Sequence, residues 1–127
     1  MARILLIDDM AAVRRAIAAL LKRGGHEVTE TSDGEAGIAA AKASEFDLII
    51  TDMLMPKKDG TDVLLAITRF ERRPKLLAIS GGSGALSETD ALRLASLTAD
   101  ATLAKPFDND TLLRVVERLT GSTRMEQ

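Results

Sequence analysis

The sequence predicts an α/β domain: a five-stranded parallel sheet, doubly wound with helices on both faces, in strand order 2-1-3-4-5. Three observations lead there. Short apolar runs alternate with segments of helical period five times along the chain. Three of the runs are continuously apolar, as parallel strands covered on both faces must be. The other two are only partly apolar, as edge strands are, and they stand second and fifth in the chain, which fits that order.

The buried strands are read from Ile4 to Ile7, Leu48 to Ile50 and Leu76 to Ile79. Glu27-Val28-Thr29-Glu30-Thr31 alternates polar and apolar residues and suits one edge. Ala101-Thr102-Leu103-Ala104 is short and mildly apolar and suits the other. Between them, Val13, Ile17, Leu20 and Leu21 mark a first helix stopped by Gly24-Gly25. Ser32 or Asp33 can cap a second, Ala-rich helix carrying Ile38 and Ala41. Val63, Leu64, Ile67 and Phe70 mark a third, which ends before Pro74. Leu92, Ala95 and Leu97 mark a fourth, weaker one. Leu112, Val115, Val116 and Leu119 mark a fifth, capped by Asp108. A β-α repeat of this kind requires right-handed crossovers, which place helices on both faces of a parallel sheet.

A length of 127 residues fits one domain, expected over residues 1–120 with a flexible tail over 121–127. A hydrophobic share of 46% beside 28% charged residues is enough to build a core and argues against disorder. With no cysteine there is no disulfide, thiolate metal site or cysteine nucleophile, which suits a cytoplasmic protein. A net charge of −2 disfavours a nucleic-acid coat, and no apolar run is long enough to insert in a membrane. The apolar start runs straight into Asp8-Asp9, so it reads as a first strand rather than a signal peptide.

Ligand sites in doubly wound sheets form beyond the carboxyl ends of the strands. Asp8 and Asp9 follow strand one, Asp52 ends strand three, Ser80 ends strand four, and Lys105-Pro106 follows strand five. Three carboxylates converging on one crevice repel one another unless a cation joins them. A hard divalent ion such as Mg²⁺ meets that need and also lets a carboxylate approach a phosphoryl group. Lys105 and Ser80 would then supply a cation and a hydrogen-bond donor to the phosphoryl oxygens. Singly, each residue has a plainer reading as a helix cap, turn former or solvated charge. Their joint placement at one end of the sheet favours the functional one.

These residues resemble the receiver domain of two-component response regulators, a flavodoxin-like (βα)5 fold of the chemotaxis-regulator type. The resemblance runs from Ala2 to about Leu119 and is strongest in Asp52-Met53-Leu54-Met55-Pro56-Lys57-Lys58-Asp59-Gly60, similar to the family's phosphoacceptor loop. It implies that Asp52 takes a phosphoryl group from a phosphohistidine on a histidine kinase or histidine phosphotransfer protein. It further implies Mg²⁺ ligation by Asp9, Asp52 and the Leu54 backbone carbonyl, with Asp8 acting largely through water. Lys105 would pair with Asp52 and then with the phosphoryl group, helped by a cis bond to Pro106. Ser80 would bind a phosphoryl oxygen and report the modification.

Two departures stand out. Thr102 takes the position of the aromatic residue that many relatives carry three before the lysine, and the chain has no Tyr or Trp. The aromatic switch of those relatives therefore cannot operate unchanged. Ser80-Gly81-Gly82-Ser83-Gly84 carries three glycines, which predicts a segment that is mobile at rest and orders on phosphorylation. A phosphate-binding P-loop is the rival there, but no Gly-Lys-Ser/Thr follows. Leu54 and Gly82 occupy positions that in the family influence phosphoryl lifetime, with opposed effects here.

Other residues receive plain readings. His26 is expected in an exposed turn rather than as a relay phosphohistidine. Arg14 and Arg15 begin the first helix as solvated charges or kinase contacts. Lys57 and Lys58 read equally as a surface turn or as charges that steer an anionic partner, and Met53 and Met55 as packing residues. The leading function is thus a stand-alone response regulator, not a metabolic enzyme. Its output would run through the face formed by the fourth predicted helix, the fifth strand and the fifth predicted helix. An aspartyl phosphohydrolase is the enzyme alternative, though Leu54 stands where that class places its acid/base Asp. A receiver-shaped module that never uses phosphate is the third reading, and the intact site residues oppose it.

Overall fold

The three strands that carry continuous apolar runs lie inside the sheet, and the two that are only partly apolar lie at its edges. The computed structural model describes residues 1–53, 60–80 and 99–121. In chain order these form β1 (Arg3–Ile7), α1 (Ala11–Arg23), β2 (Glu27–Thr31), α2 (Gly34–Ala43), β3 (Leu48–Asp52), α3 (Gly60–Ile67), β4 (Lys75–Ser80), β5 (Ala101–Ala104) and α4 (Asn109–Thr120). The last is the fifth of the helices expected from the sequence. The fourth expected helix, with Leu92, Ala95 and Leu97, lies outside the described residues, as do Leu54, Met55, Lys57, Lys58, the glycines after Ser80 and residues 122–127.

The strands pair in parallel in the order β2-β1-β3-β4-β5, the predicted one. β3 is buried at every residue, whereas β2 and β5 are only partly covered. Alternate residues divide the core into two layers. Ile4 and Leu6 of β1, Leu48 and Ile50 of β3, and Leu77 and Ile79 of β4 meet Ile17, Leu20 and Leu21 of α1 and Leu112 and Val116 of α4. Leu5, Ile7, Ile49 and Leu76 face the other way, onto Val63, Leu64 and Ile67 of α3 and Ala41 of α2.

Helix ends follow the local chemistry. Asp33 caps α2 by accepting from the Ala36 N–H at 2.7 Å, and Asp108 caps α4 by accepting from the Thr111 N–H at 2.7 Å. Gly121, at φ 67, closes α4 in the left-handed conformation that an L side chain resists. The third helix is shorter than its apolar period suggests. It stops at Ile67, and a tight turn through Thr68 and Arg69 brings Phe70 back against the same core.

His26 is a second correction. It is buried rather than turn-exposed, and its Nδ1 accepts the Ala2 N–H at 3.1 Å. The Glu27 N–H donates to the Ala2 carbonyl at 2.9 Å, so the start of β1 is tied down on both sides of that residue. Burial lowers the imidazole pKa below 6.5, with the positive amino terminus acting in the same direction and Glu117 opposing.

Gly37 of α2 passes so close to Ile7 that a Cβ there would press on the Ile7 Cδ1 and lie 2.7 Å from its Cγ1. Alanine ordinarily favours a helix interior by about 0.5–1 kcal/mol over glycine. Here overpacking should win, and Gly37→Ala should lose about 1–3 kcal/mol in urea unfolding, part of it recovered by adding Ile7→Val. The lone histidine permits a second check by NMR titration. His26 should titrate below 6.5, because folding favours the neutral ring. The unfolded chain then takes the proton first, so this contribution to stability is complete above 6.5 and is lost as pH falls through the folded value.

Candidate functional site

Parallel register carries the acidic residues to one place. Ile7 of β1 stands opposite Thr51 of β3, so the residues that follow, Asp8 and Asp52, leave the sheet side by side. The Asp8 N–H donates to the Thr31 carbonyl at 3.1 Å, extending the β1–β2 ladder by one more bond. Asp8, Asp9 and Asp52 each present a carboxylate oxygen, and these oxygens lie within 4.8 Å of one another. Asp8 and Asp52 are buried and Asp9 is exposed, so the cluster opens to solvent on the Asp9 side.

The basic and hydroxyl groups arrive from the other side. Ser80 ends β4 beside the end of β3 and is buried. It stands opposite Ala104 of β5, and the next residue, Lys105, donates its backbone N–H to the Ser80 carbonyl at 2.9 Å. The Lys105 Nζ reaches Asp52 Oδ2 at 3.3 Å, and the Lys105–Pro106 bond is cis. Thr102 is exposed and pairs with Ala78, two rungs nearer the amino ends of the strands.

Asp8 titrates above the ordinary carboxylate value of 3.8. Burial is the main cause, with the charges of Asp52 and Asp9 adding to it. The Met10 N–H, which donates to Asp8 Oδ1 at 2.9 Å, and the Lys105 ammonium pull the other way. A set of hard oxygen donors gathered in this way suits a divalent cation such as Mg²⁺.

Several contributors escaped the sequence reading. Arg14 is not a solvated charge; it donates to the Asp8 carbonyl at 2.9 Å and to Glu30 Oε1 at 3.1 Å. Thr51 is buried and its hydroxyl donates to the Asp52 carbonyl at 3.0 Å. Gly60 opens α3 against the end of β3, where a Cβ would lie 2.6 Å from the Asp52 carbonyl oxygen. The spacing of Gly60 from Asp52 was visible in the sequence, but the close backbone approach that demands glycine was not.

Residues 4–117 match the response regulator receiver domain as a family. The chain belongs to that family. Receiver domains accept phosphoryl groups from histidine kinases in two-component systems. Among curated proteins, this one is 32% identical to the cell cycle response regulator CtrA of Brucella ovis over 122 residues, 96% of this chain and 51% of that protein. The chain thus spans about half the length of the curated relatives it matches. Among solved structures, it resembles the receiver domain of sensor histidine kinase PA1611 from Pseudomonas aeruginosa, which has a magnesium ion coordinated in its active-site cleft. The identity is 28%, the TM-score 0.84, and the match covers 94% of this chain and 98% of that one. The response regulator TrrA of Thermotoga maritima, solved with Mg²⁺ and BeF, is 28% identical with a TM-score of 0.81, over 94% and 99% of the two chains. Chemotaxis protein CheY4 of Vibrio cholerae is 26% identical with a TM-score of 0.78, over 94% and 98%.

The raised Asp8 value makes a signed prediction for this receiver domain. The folded protein holds the Asp8 proton more tightly than the unfolded chain does. That stabilising contribution is complete below 3.8 and is lost as pH rises through the folded value. Asp8→Asn keeps an acceptor for the Met10 N–H and cannot ionise. In EDTA near neutral pH it should unfold at higher urea than the unsubstituted protein, with the gap closing in acid. An unchanged or lower midpoint at neutral pH would count against this electrostatic account.

Proposed function

We propose that Asp52 is the phosphoacceptor of a Mg²⁺-dependent response regulator that signals by protein contacts on its own surface. The observation carrying this reading is the Lys105 ammonium 3.3 Å from a buried Asp52 that shares an acidic cluster with Asp8 and Asp9. Such a carboxylate has a cation on one side and hard oxygen donors on the other. In the reaction, an Asp52 carboxylate oxygen attacks the phosphorus of a phosphohistidine. The P–N bond breaks, the imidazole leaves with a proton, and an acyl phosphate remains on Asp52.

Asp8, Asp9, Asp52 and the Leu54 backbone carbonyl would hold the Mg²⁺, which when bound offsets the negative charge shared by carboxylate and phosphoryl oxygens. Lys105, already directed at Asp52, supplies positive charge to the phosphoryl oxygens as they approach. Ser80, buried one strand away, would supply a hydroxyl for the same group, and its carbonyl accepts the Lys105 N–H. Thr102, two rungs back along β5, would couple to the site by no more than a small motion. The relatives with Mg²⁺ in a receiver site support the choice of ion.

The donor would be a histidine kinase or a histidine phosphotransfer protein, in the cytoplasm. The face formed by the fourth predicted helix, β5 and α4 would meet the downstream protein. No described helix is long and apolar enough to cross a membrane.

Incubation with Mg²⁺ and a small acyl phosphate or phosphoramidate, followed by intact mass, tests the acceptor. The unsubstituted protein should gain one phosphoryl group, EDTA should prevent the gain, and Asp52→Asn should not react. A folded, Mg²⁺-binding protein that takes up no phosphate would refute the proposal, as would equal labelling of Asp52→Asn.

A further inference from the structure

α1 begins unlike its neighbours. α2 and α4 start under aspartate caps, but Met10, at the start of α1, makes no side-chain capping bond, and the first turn carries no acidic residue. An arginine in this first stretch also runs against the helix dipole, which favours negative charge there. What holds the start of α1 is Asp8. Its carboxylate accepts from the Met10 N–H at 2.9 Å, and its carbonyl accepts from Arg14 Nη1 at 2.9 Å.

Arg14 is well placed for more than anchoring a helix. Its own amide donates to the Met10 carbonyl at 2.8 Å, so its backbone belongs to the turn that its side chain closes. The guanidinium spans from Glu30 of β2 to the carbonyl of Asp8, and its side chain is only 14% exposed. The Asp8 backbone is therefore held at its N–H by the Thr31 carbonyl, and at its C=O, in the Asp8–Asp9 peptide, by Arg14. Rotation of that peptide would swing Asp9, the next residue, relative to Asp52. Glu30 offsets the arginine charge, so the pair adds orientation to the acidic cluster more than field.

We infer that Arg14, fixed by Glu30, is a positioning residue that sets the Asp8–Asp9 backbone for divalent-cation binding. This rests on the reading of Asp8, Asp9 and Asp52 as a Mg²⁺ site. A guanidinium satisfies two acceptors in fixed directions, which an ammonium on a flexible stem does not. Groups that orient metal ligands from behind typically alter affinity by about tenfold or more when removed.

Two substitutions separate geometry from charge, with Mg²⁺ titrated calorimetrically into the full chain. Arg14→Lys keeps the charge and loses the two-pronged bond. Its Mg²⁺ Kd should rise about tenfold, and in EDTA the Met10 amide should exchange with solvent faster. Glu30→Gln keeps the acceptor oxygen and loses the charge, and should raise the Kd by less than Arg14→Lys does. An unchanged Kd in Arg14→Lys overturns the inference, even if that variant melts lower, since a purely structural role predicts that pattern. A larger loss in Glu30→Gln than in Arg14→Lys also overturns it in favour of a field effect. Absence of Mg²⁺ binding by the unsubstituted protein would overturn the metal-site reading itself, and the inference with it.

Discussion

Repulsion among Asp8, Asp9 and Asp52 is the constraint around which the carboxyl end of this sheet is organised. Two buried like charges at such separations repel by on the order of 3 kcal/mol even in a well-screened protein interior. Parallel register leaves the chain no means of keeping them apart, because adjacent central strands end at the same level. The surroundings answer each charge differently. Asp52 has the Lys105 ammonium, Asp8 has the Met10 amide, and Asp9 has solvent. Asp8 still titrates above 3.8, chiefly because it is buried, with the charges of Asp52 and Asp9 adding to that cost. A divalent cation bound there would relieve both the burial cost and the mutual repulsion of these carboxylates.

The rest of the fold keeps that cluster from relaxing. A strand buried on both faces cannot slide without exposing an entire layer, and β3 is buried at every position. Gly37 lets α2 settle against Ile7, directly before Asp8, and Gly60 lets α3 begin against the carbonyl of Asp52. At both places a helix backbone closes on a strand end. The acidic residues are thereby fixed through main-chain packing, which their own side chains do not have to supply. That division leaves the carboxylates available for chemistry.

Much of this was legible in the sequence because it depends on periodicity. Continuous apolar runs at Ile4, Leu48 and Leu76 and alternation at Glu27 sufficed for the strand order, and the order placed the strand-end residues together. Phe70 misled for an instructive reason. A tight turn can return a side chain to the face that a helix would have given it, so apolar spacing alone does not mark where α3 ends. His26 misled because a neighbouring Gly-Gly suggests exposure, while its burial depends on the Ala2 amide, twenty-four residues away in sequence. Arg14 shows the same limit. Its partners are Glu30 on β2 and the Asp8 carbonyl just beyond β1, and a backbone acceptor leaves no trace in composition or spacing.

The relation between Ser80, Lys105 and Thr102 bears on how a modified Asp52 would be felt elsewhere. Ser80 and Lys105 are already joined through the main chain, carbonyl to amide, across the gap between β4 and β5. A phosphoryl group that drew both side chains inward would therefore pull on β5 through its backbone, whatever residue stood further along it. Thr102 is two rungs back and exposed, with Ala101 and Leu103 packed on the opposite layer. A small hydroxyl there fills little volume, so its rotation can transmit little by displacement of neighbours. A force on β5 arising at a modified Asp52 would therefore be better carried by the Ser80–Lys105 link than by a side chain exchanging places at the strand edge.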